Sequence, residues 1–371
     1  MGSVHADYLY KNEIKNAKLT ALCDINPDKL KTAREKYPDI AFYGNYTDLL
    51  ESGKIDAVII ATPHYLHPVI AKEAFARGIN VLSEKPIGVY TKAVEEMNEA
   101  AEKSGKAFGI MYNQRTNPYF QKMREIIKSG ELGQLKRCVW IITDWYRTQA
   151  YYNSGGWRAT WNGEGGGVLI NQCPHNLDLW QWLFGMPTRV RGFCAYGKYH
   201  DIEVEDDVTA YAEYANGATA VFITTTGETP GTNRLEISGD GGKLVYEGGK
   251  LRFWKLHERE REFTYSATSG FAKIKRDILE FDDLGKTPEH RGITQNFTNH
   301  LISGEELLAP GKEGINGLTI SNAIHLSDWT NDWVNLPIDA DLYLELLNKK
   351  RAASKQKTNV NETVSNLEGT Y

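Results

Sequence analysis

The chain has 371 residues, 41% of them hydrophobic and 25% charged, with a formal net charge of −5. That length exceeds what one hydrophobic core usually supports, so two domains are expected. The acidic balance argues against a nucleic-acid partner, which needs a concentrated basic face. No run approaches the roughly 18 apolar residues of a membrane helix, and residues 1–7 lack the features of a signal peptide. Cys23, Cys138, Cys173 and Cys194 form no C-x-x-C pair, which predicts a reduced, cytoplasmic protein.

The first third alternates strand and helix signals. Residues 18–24 read as a buried strand ending in an acid. A helix is predicted over 26–37, with Pro27 in its first turn and Pro38 closing it. The apolar run 56–61 ends at Thr62-Pro63, as a parallel strand covered on both faces would. Residues 67–77 read as a helix capped by Gly78, 80–84 as a strand, 91–104 as a helix and 107–112 as a strand. This alternation implies βαβ units with right-handed crossovers, hence an α/β, doubly wound Rossmann-type domain over 1–112.

From residue 113 the pattern changes. A helix near 118–129 leads into extended segments at 135–146, 188–199, 207–215, 218–226, 233–238, 243–246 and 250–256, with Asn216-Gly217 as a hairpin turn. Consecutive strands predict an α+β domain over 113–345 with a largely antiparallel, open-faced sheet. Helices near 175–184, 290–303 and 312–333 are expected on one face, which leaves the other for a homo-oligomer interface, dimer or tetramer. Residues 346–371 lack periodicity and read as a disordered tail.

Asp24 ends the second-strand position of a doubly wound fold, where an acid bonds the ribose hydroxyls of NAD. Ile25-Asn26-Pro27 supplies no Arg for NADP, so NADP is the less favoured cofactor. Asp24 could equally start the following helix as its cap. The first strand of such a fold, with its G-x-G-x-x-G turn, is missing, and Gly2 reads as the last glycine of that turn. The turn carries pyrophosphate on backbone N–H groups. About ten further residues, a strand plus a turn, are therefore expected ahead of Met1; without them the dinucleotide site would be weak or dead.

Glu84-Lys85-Pro86 sits at the C-terminal end of a strand, where open α/β sheets place ligands. The proline holds the preceding backbone extended and aims the lysine, although a lone lysine there reads more readily as a solvated charge. Gly165, Gly166 and Gly167 open a run, 165–178, in which a backbone can come close to a ligand, and His175 lies near a helix start. A lone histidine at such a place is more often structural. Thr62, Pro63, His64 and His67 follow a strand and are expected to line the nicotinamide ribose pocket. No carboxylate or cysteine joins His64 and His67 at ligand spacing, so no metal is expected. Glu203, Glu205, Asp206 and Asp207 read as a solvated strand entry rather than a metal cage. Trp157 and Trp161 either stack on a sugar face or belong to the core.

Together these segments resemble the Gfo/Idh/MocA-type NAD(P)-dependent oxidoreductases. The resemblance is carried by 57–67 with Ala61-Thr62-Pro63, by Glu84-Lys85-Pro86, Arg115 with Pro118, 130–133, Trp157-Arg158, 165–178 and 336–339. It implies hydride transfer between nicotinamide and a ring carbinol of a sugar, inositol or related polyol. It also implies that Lys85 and His175 act beside residue 171, which is Asn171 here and aspartate in the family. Glu84 and Lys85 would stand at the cofactor, and Arg115, Trp157, Arg158, Asn171 and His175 at the substrate. An amide cannot take up a proton. His175 is therefore expected to accept the hydroxyl proton while Lys85 polarises the oxygen and stabilises alkoxide charge. Two other branches stay open: NAD-assisted glycoside processing, and a non-catalytic dinucleotide-sensing regulator, against which the retention of Lys85 and His175 argues.

Overall fold

The chain divides, in a computed structural model that describes residues 1–355, 357, 358 and 360, into two units. Unit 1 is Met1–Thr116 with Thr287–Leu318; unit 2 is Asn117–Lys286 with the chain from Thr319 on.

Unit 1 runs α1 (Gly2–Tyr10), β1 (Ala21–Cys23), α2 (Pro27–Lys36), β2 (Ala41–Tyr43), α3 (Tyr46–Glu51), β3 (Ala57–Ile60), α4 (Leu66–Ala76), β4 (Asn80–Ser83), α5 (Thr91–Ser104) and β5 (Phe108–Ile110). Local chemistry sets the boundaries. Asn26 accepts from the N–H groups of Asp28 and Lys29 at 2.9 and 3.2 Å, and Pro27 follows at the first helical position of α2. Gly105, at φ +63, ends α5 in the left-handed conformation that glycine adopts without strain. The strands pair in parallel as β1–β2 and as β3–β4–β5. β2 and α3 lie where no prediction was made, because three- and six-residue elements are too short to show a period.

One expectation needs correction. The helix Glu289–Ser303, expected on the sheet of the second domain, belongs to unit 1. The reason is packing along β5: the Ile110 N–H donates to Ala309 O at 3.0 Å, and a Cβ added to Gly109 would fall 2.9 Å from the Phe297 ring. Periodicity identifies an amphipathic helix but not the sheet that receives it.

Unit 2 holds a nine-stranded sheet in the order β13-β12-β11-β10-β6-β9-β8-β7-β14. The strands are β6 (Leu135–Ile142), β7 (Arg189–Tyr196), β8 (Glu205–Glu213), β9 (Thr219–Thr225), β10 (Asn233–Gly239), β11 (Gly242–Glu247), β12 (Lys250–Leu256), β13 (Arg276–Phe281) and β14 (Val334–Asn335). Every neighbouring pair is antiparallel except β6–β9. The predicted hairpin joins β8 to β9, with Gly217 at φ +79. Helices α6 (Pro118–Lys128), α7 (Gln149–Asn153) and α8 (Pro174–Phe184) precede most of the sheet in the chain. Alternation along β8 and β9 buries one face, and α8 is held on it by Trp180 stacked against Phe222 at 5.4 Å and 10°. Such a ring pair adds about 1 kcal/mol to the burial of its area.

The expected tail also needs correction at its start. The helix Ala340–Ala353, capped by Asp339 on the Leu342 N–H at 2.9 Å, covers residues 346–353. It is anchored by Tyr343 and Leu347, four apart and fully buried. Most of the remaining expected tail lies outside the described residues. Among the described residues no helix is long and apolar enough to cross a membrane.

Candidate active site

In unit 1 the C-terminal ends of β1, β3 and β4 present Asp24, Thr62 to His67, and Glu84-Lys85. Asp24 Oδ1 accepts from the Asn26 N–H at 2.8 Å, so Asn26 rather than Asp24 caps α2 and the acid is oriented at the strand end. Thr62 Oγ1 is buried with no hydrogen-bond partner among the described residues. Such a hydroxyl is costly unless a ligand supplies its partner. Gly2 begins α1, and a Cβ there would meet Ala61 at an ordinary 3.7 Å.

His67 plays a different part from the one expected. It is buried, and its Nδ1 and Nε2 lie 2.7 Å from Pro86 O and Thr62 O. It therefore stands between the loop after β3 and the loop after β4; burial pulls its pKa down, and the neutral ring that burial favours donates to one of the two carbonyls. His64 is buried beside it, ring centroids 6.2 Å apart. No group of three or more His, Cys, Asp or Glu side chains able to hold a metal occurs among the described residues.

Glu84, expected at the cofactor, spends both oxygens inside the fold. Oε1 meets His5 Nε2 at 2.6 Å and Oε2 accepts the Lys85 N–H at 3.1 Å. Burial alone pushes this carboxyl up. The hydrogen bond and charge of His5, with His290 and Lys85 nearby, outweigh burial and hold it at about 2. His290 Nε2 stands 4.0 Å from Glu84 Oε1, and burial draws its pKa down to about 4. Glu84 thus fixes the backbone from which Lys85 extends. Arg115 is corrected likewise: it is 1% exposed and donates to Glu313 Oε2 at 2.6 Å and Leu308 O at 3.1 Å, enclosed in unit 1 rather than presented to a substrate.

In unit 2 the glycine-led run 165–178 folds against β8. Both oxygens of Glu205 lie 2.9 Å from the Gly167 N, Oε1 accepts the Leu169 N–H at 3.1 Å, and His325 Nε2 lies 3.1 Å from Oε2. A Cβ on Gly167 would fall 1.9 Å from Glu205 O. The close approach made possible by Gly167 is therefore to β8, not to a ligand. Glu205 and Asp206 are fully buried rather than solvated, Asp206 accepting the N–H groups of Lys198, Tyr199 and His200. His175, the second residue of α8, is buried at the end of this braced run.

Asn171 Nδ2 donates to Glu164 Oε1 at 2.6 Å and to the Tyr151 hydroxyl at 3.0 Å. Arg158 Nη1 donates to the same hydroxyl at 2.9 Å, and its guanidinium lies over the Tyr151 and Trp157 rings at 4.6 and 4.9 Å. Trp157 keeps 37% exposure. Trp161 is core: it is buried, donates Nε1–H to Glu203 O at 2.9 Å, and forms with Tyr196 and Trp329 an aromatic cage around the Lys350 ammonium. Asn171 and Arg158, both named from the sequence, meet at the Tyr151 hydroxyl, whereas Tyr151 and Glu164 were not singled out. The one available signal was the position of Glu164 directly before the glycine triplet.

These two units define a dinucleotide-binding Rossmann-type domain followed by a sheet domain rich in polar side chains, the architecture of an NAD-dependent oxidoreductase. Residues 1–112 match the model "Oxidoreductase family, NAD-binding Rossmann fold", and residues 120–245 match the "GFO/IDH/MocA C-terminal domain". The chain belongs to the Gfo/Idh/MocA family. It is 30% identical over 193 residues to the rhizopine catabolism protein MocA of Rhizobium meliloti, covering 52% of this chain and 56% of that protein. It is 31% identical over 136 residues to the inositol 2-dehydrogenase of Arthrobacter sp., covering 36% of this chain and 40% of that one. The matches thus span about half the length of these curated relatives. The structure of the WlbA dehydrogenase of Bordetella pertussis, in complex with NADH and UDP-GlcNAcA, superposes with a TM-score of 0.77 at 26% identity, covering 91% of this chain and 96% of that one.

Proposed function

We propose that the chain is an NAD-dependent oxidoreductase that moves a hydride between nicotinamide and a ring carbinol of a sugar, inositol or related polyol. The observation that carries this reading is the cluster of Tyr151, Arg158, Glu164 and Asn171, hydroxyl-binding groups held on and beside the run that bears His175. The inositol dehydrogenase and the WlbA complex with a nucleotide sugar support the substrate class.

The residues of unit 1 fit a dinucleotide. Asp24 has its Oδ1 on Asn26 and its Oδ2 available for ribose hydroxyls, and no arginine follows it to favour NADP. The buried Thr62 hydroxyl lacks a partner, and the first N–H groups of α1 at Gly2 suit pyrophosphate. Thr62, Pro63 and His64 line the nicotinamide ribose, with His67 holding their loop. When bound, NAD supplies the hydride acceptor. Lys85 polarises the carbinol oxygen and His175 takes its proton. Trp157, Arg158 and Asn171 orient the other hydroxyls.

We also read the chain as a cytoplasmic homo-oligomer. Its four described cysteines are free, and the open sheet face carries Phe193 and Ile278 more than half exposed, a surface suited to a second copy. Steady-state NADH formation across inositols, hexoses and glycosides tests the activity. Flat traces with a tightly held cofactor recovered from the purified protein would overturn it in favour of transient ring oxidation.

A further inference from the structure

The last described residues of the chain return to the loop 151–162, which bears Trp157 and Arg158. The helix Ala340–Ala353 ends at Ser354, where a ψ of 132° makes the backbone extended. One turn before that end, Lys350 lies over the Trp161 ring. The Ser354 hydroxyl donates to Glu203 Oε1, and its oxygen accepts the Asn162 N–H at 3.4 Å. The Lys355 N–H reaches Glu203 Oε2 at 3.1 Å. Lys357 Nζ donates to Tyr152 O at 2.8 Å, and a Cβ built on Gly156 would meet Val360 Cγ2 at 3.7 Å.

Glu203 joins the two sides of this contact. Its Oε1 also accepts the Trp161 N–H at 2.7 Å, so one carboxylate binds the loop and the terminal segment at once. Hydrogen bonds to an ionised acceptor are roughly twice as strong as neutral ones. Glu164, Glu203, Asp201 and Arg158 all lie within charge range of the Lys357 ammonium. Inside the loop the bonds are of another kind. Arg158 donates to Ser154 Oγ at 3.2 Å and to the Tyr151 hydroxyl at 2.9 Å, both on its own stretch of chain. Such bonds orient Arg158 within the loop without fixing the loop to its surroundings. A segment outside the ladders opens at low free energy, and a site competent only part of the time binds its ligand more weakly by that fraction.

We propose that the segment after the helix Ala340–Ala353 is a strap across the substrate loop, with Ser354 and Lys357 as positioning residues that hold 151–162, and so Trp157 and Arg158, in the arrangement that binds substrate. Glu203 is the post to which the strap and the loop are both tied. The strap touches no reacting atom; it acts by raising the fraction of the protein whose loop is ready. The role toward substrate rests on the polyol-dehydrogenase reading, whereas the hold on the loop does not.

The test alters the strap alone, in the full chain. Ser354→Ala with Lys357→Met removes the side-chain bonds of both residues and leaves every proposed substrate and cofactor residue in place. Hydrogen–deuterium exchange read by mass spectrometry should quicken about 10-fold over 151–162, the value of one or two hydrogen bonds, with other segments unchanged. With the best substrate of the NADH assay, KM should rise about 5- to 10-fold while kcat changes far less, because fewer loops are ready but those that bind react normally. Lys357→Arg alone keeps a donor for Tyr152 O and should stay within about twofold of wild type in both readouts. NADH affinity, which belongs to unit 1, should not move. Three results overturn the inference: unchanged exchange over 151–162, exchange quickened equally throughout the chain, or local quickening with a wild-type KM. If wild type turns over no polyol of the panel, the dehydrogenase reading falls, and the exchange over 151–162 still upholds or overturns the strap by itself.

Discussion

Glu205 grips the backbone of Gly167, with both carboxylate oxygens 2.9 Å from the same nitrogen. With the Leu169 N–H on Oε1 and His325 beside Oε2, this fully buried carboxylate anchors the start of the run that carries Asn171 and His175. Glu205→Gln would put an amide NH2 among groups that donate, at a cost of about 2–3 kcal/mol in unfolding free energy. Gly167→Ala forces a Cβ against the Glu205 carbonyl and should cost at least as much, on the order of 3 kcal/mol. Urea unfolding measures both; wild-type midpoints would refute the brace.

Acid should weaken unit 1 in two steps. His290 titrates at 6.5 when unfolded and at about 4 when folded, so the unfolded chain takes up the proton first and stability falls between those values, then no further. Glu84 titrates at 4.5 unfolded and about 2 folded, so its contribution is complete above pH 4.5 and drains as pH falls toward 2. Each step is on the order of 3 kcal/mol. His290→Asn should flatten the unfolding free energy between pH 6.5 and 4 and leave the lower step smaller but present, since His5 and Lys85 still face Glu84. An unchanged slope in that window would refute the assignment.

Lys350 holds its ammonium 5.2, 5.0 and 5.0 Å from the ring centroids of Trp161, Tyr196 and Trp329. Lys350→Met keeps most of the stem but loses the attraction of the charge for the ring faces, about 1 kcal/mol. Lys350→Arg should retain more than half of it. Tryptophan-monitored unfolding distinguishes the two variants, and equal losses would show that packing alone matters.

His175→Ala should lower turnover by about 100-fold or more, the usual worth of a positioned acid–base group, while NADH affinity stays within about twofold. Asp24→Ala should show the reverse pattern, weakening NAD binding about 10-fold through lost hydrogen bonds to a charged group. Fluorescence titration with NADH, run beside the kinetic assay, separates the two; a His175→Ala variant with wild-type turnover would remove His175 from the chemistry.

The parts of this protein legible in its sequence are those decided by local chemistry. Asn26-Pro27 marks the start of α2 because capping acts over a few residues, and the apolar run 56–61 reads as a strand, found at Ala57–Ile60, although only Ile60 of it is fully buried. Arg115 misleads for the opposite reason: its partners Leu308 and Glu313 lie nearly two hundred residues on, and an arginine bonded inside the fold looks the same in sequence as one that binds a ligand. The glycine triplet signals close approach, but not that β8 is what Gly167 approaches. Tyr151 and Glu164 escape notice because a five-residue helix and a loop carry no period, and only the fold brings them onto Asn171.

The most direct test of hydride transfer uses a cyclic polyol substrate deuterated at its carbinol carbon, incubated with the protein and NAD. The account predicts a reduced cofactor one mass unit heavier, with deuterium at nicotinamide C4. Unlabelled reduced cofactor, or none from any polyol tried, would contradict it.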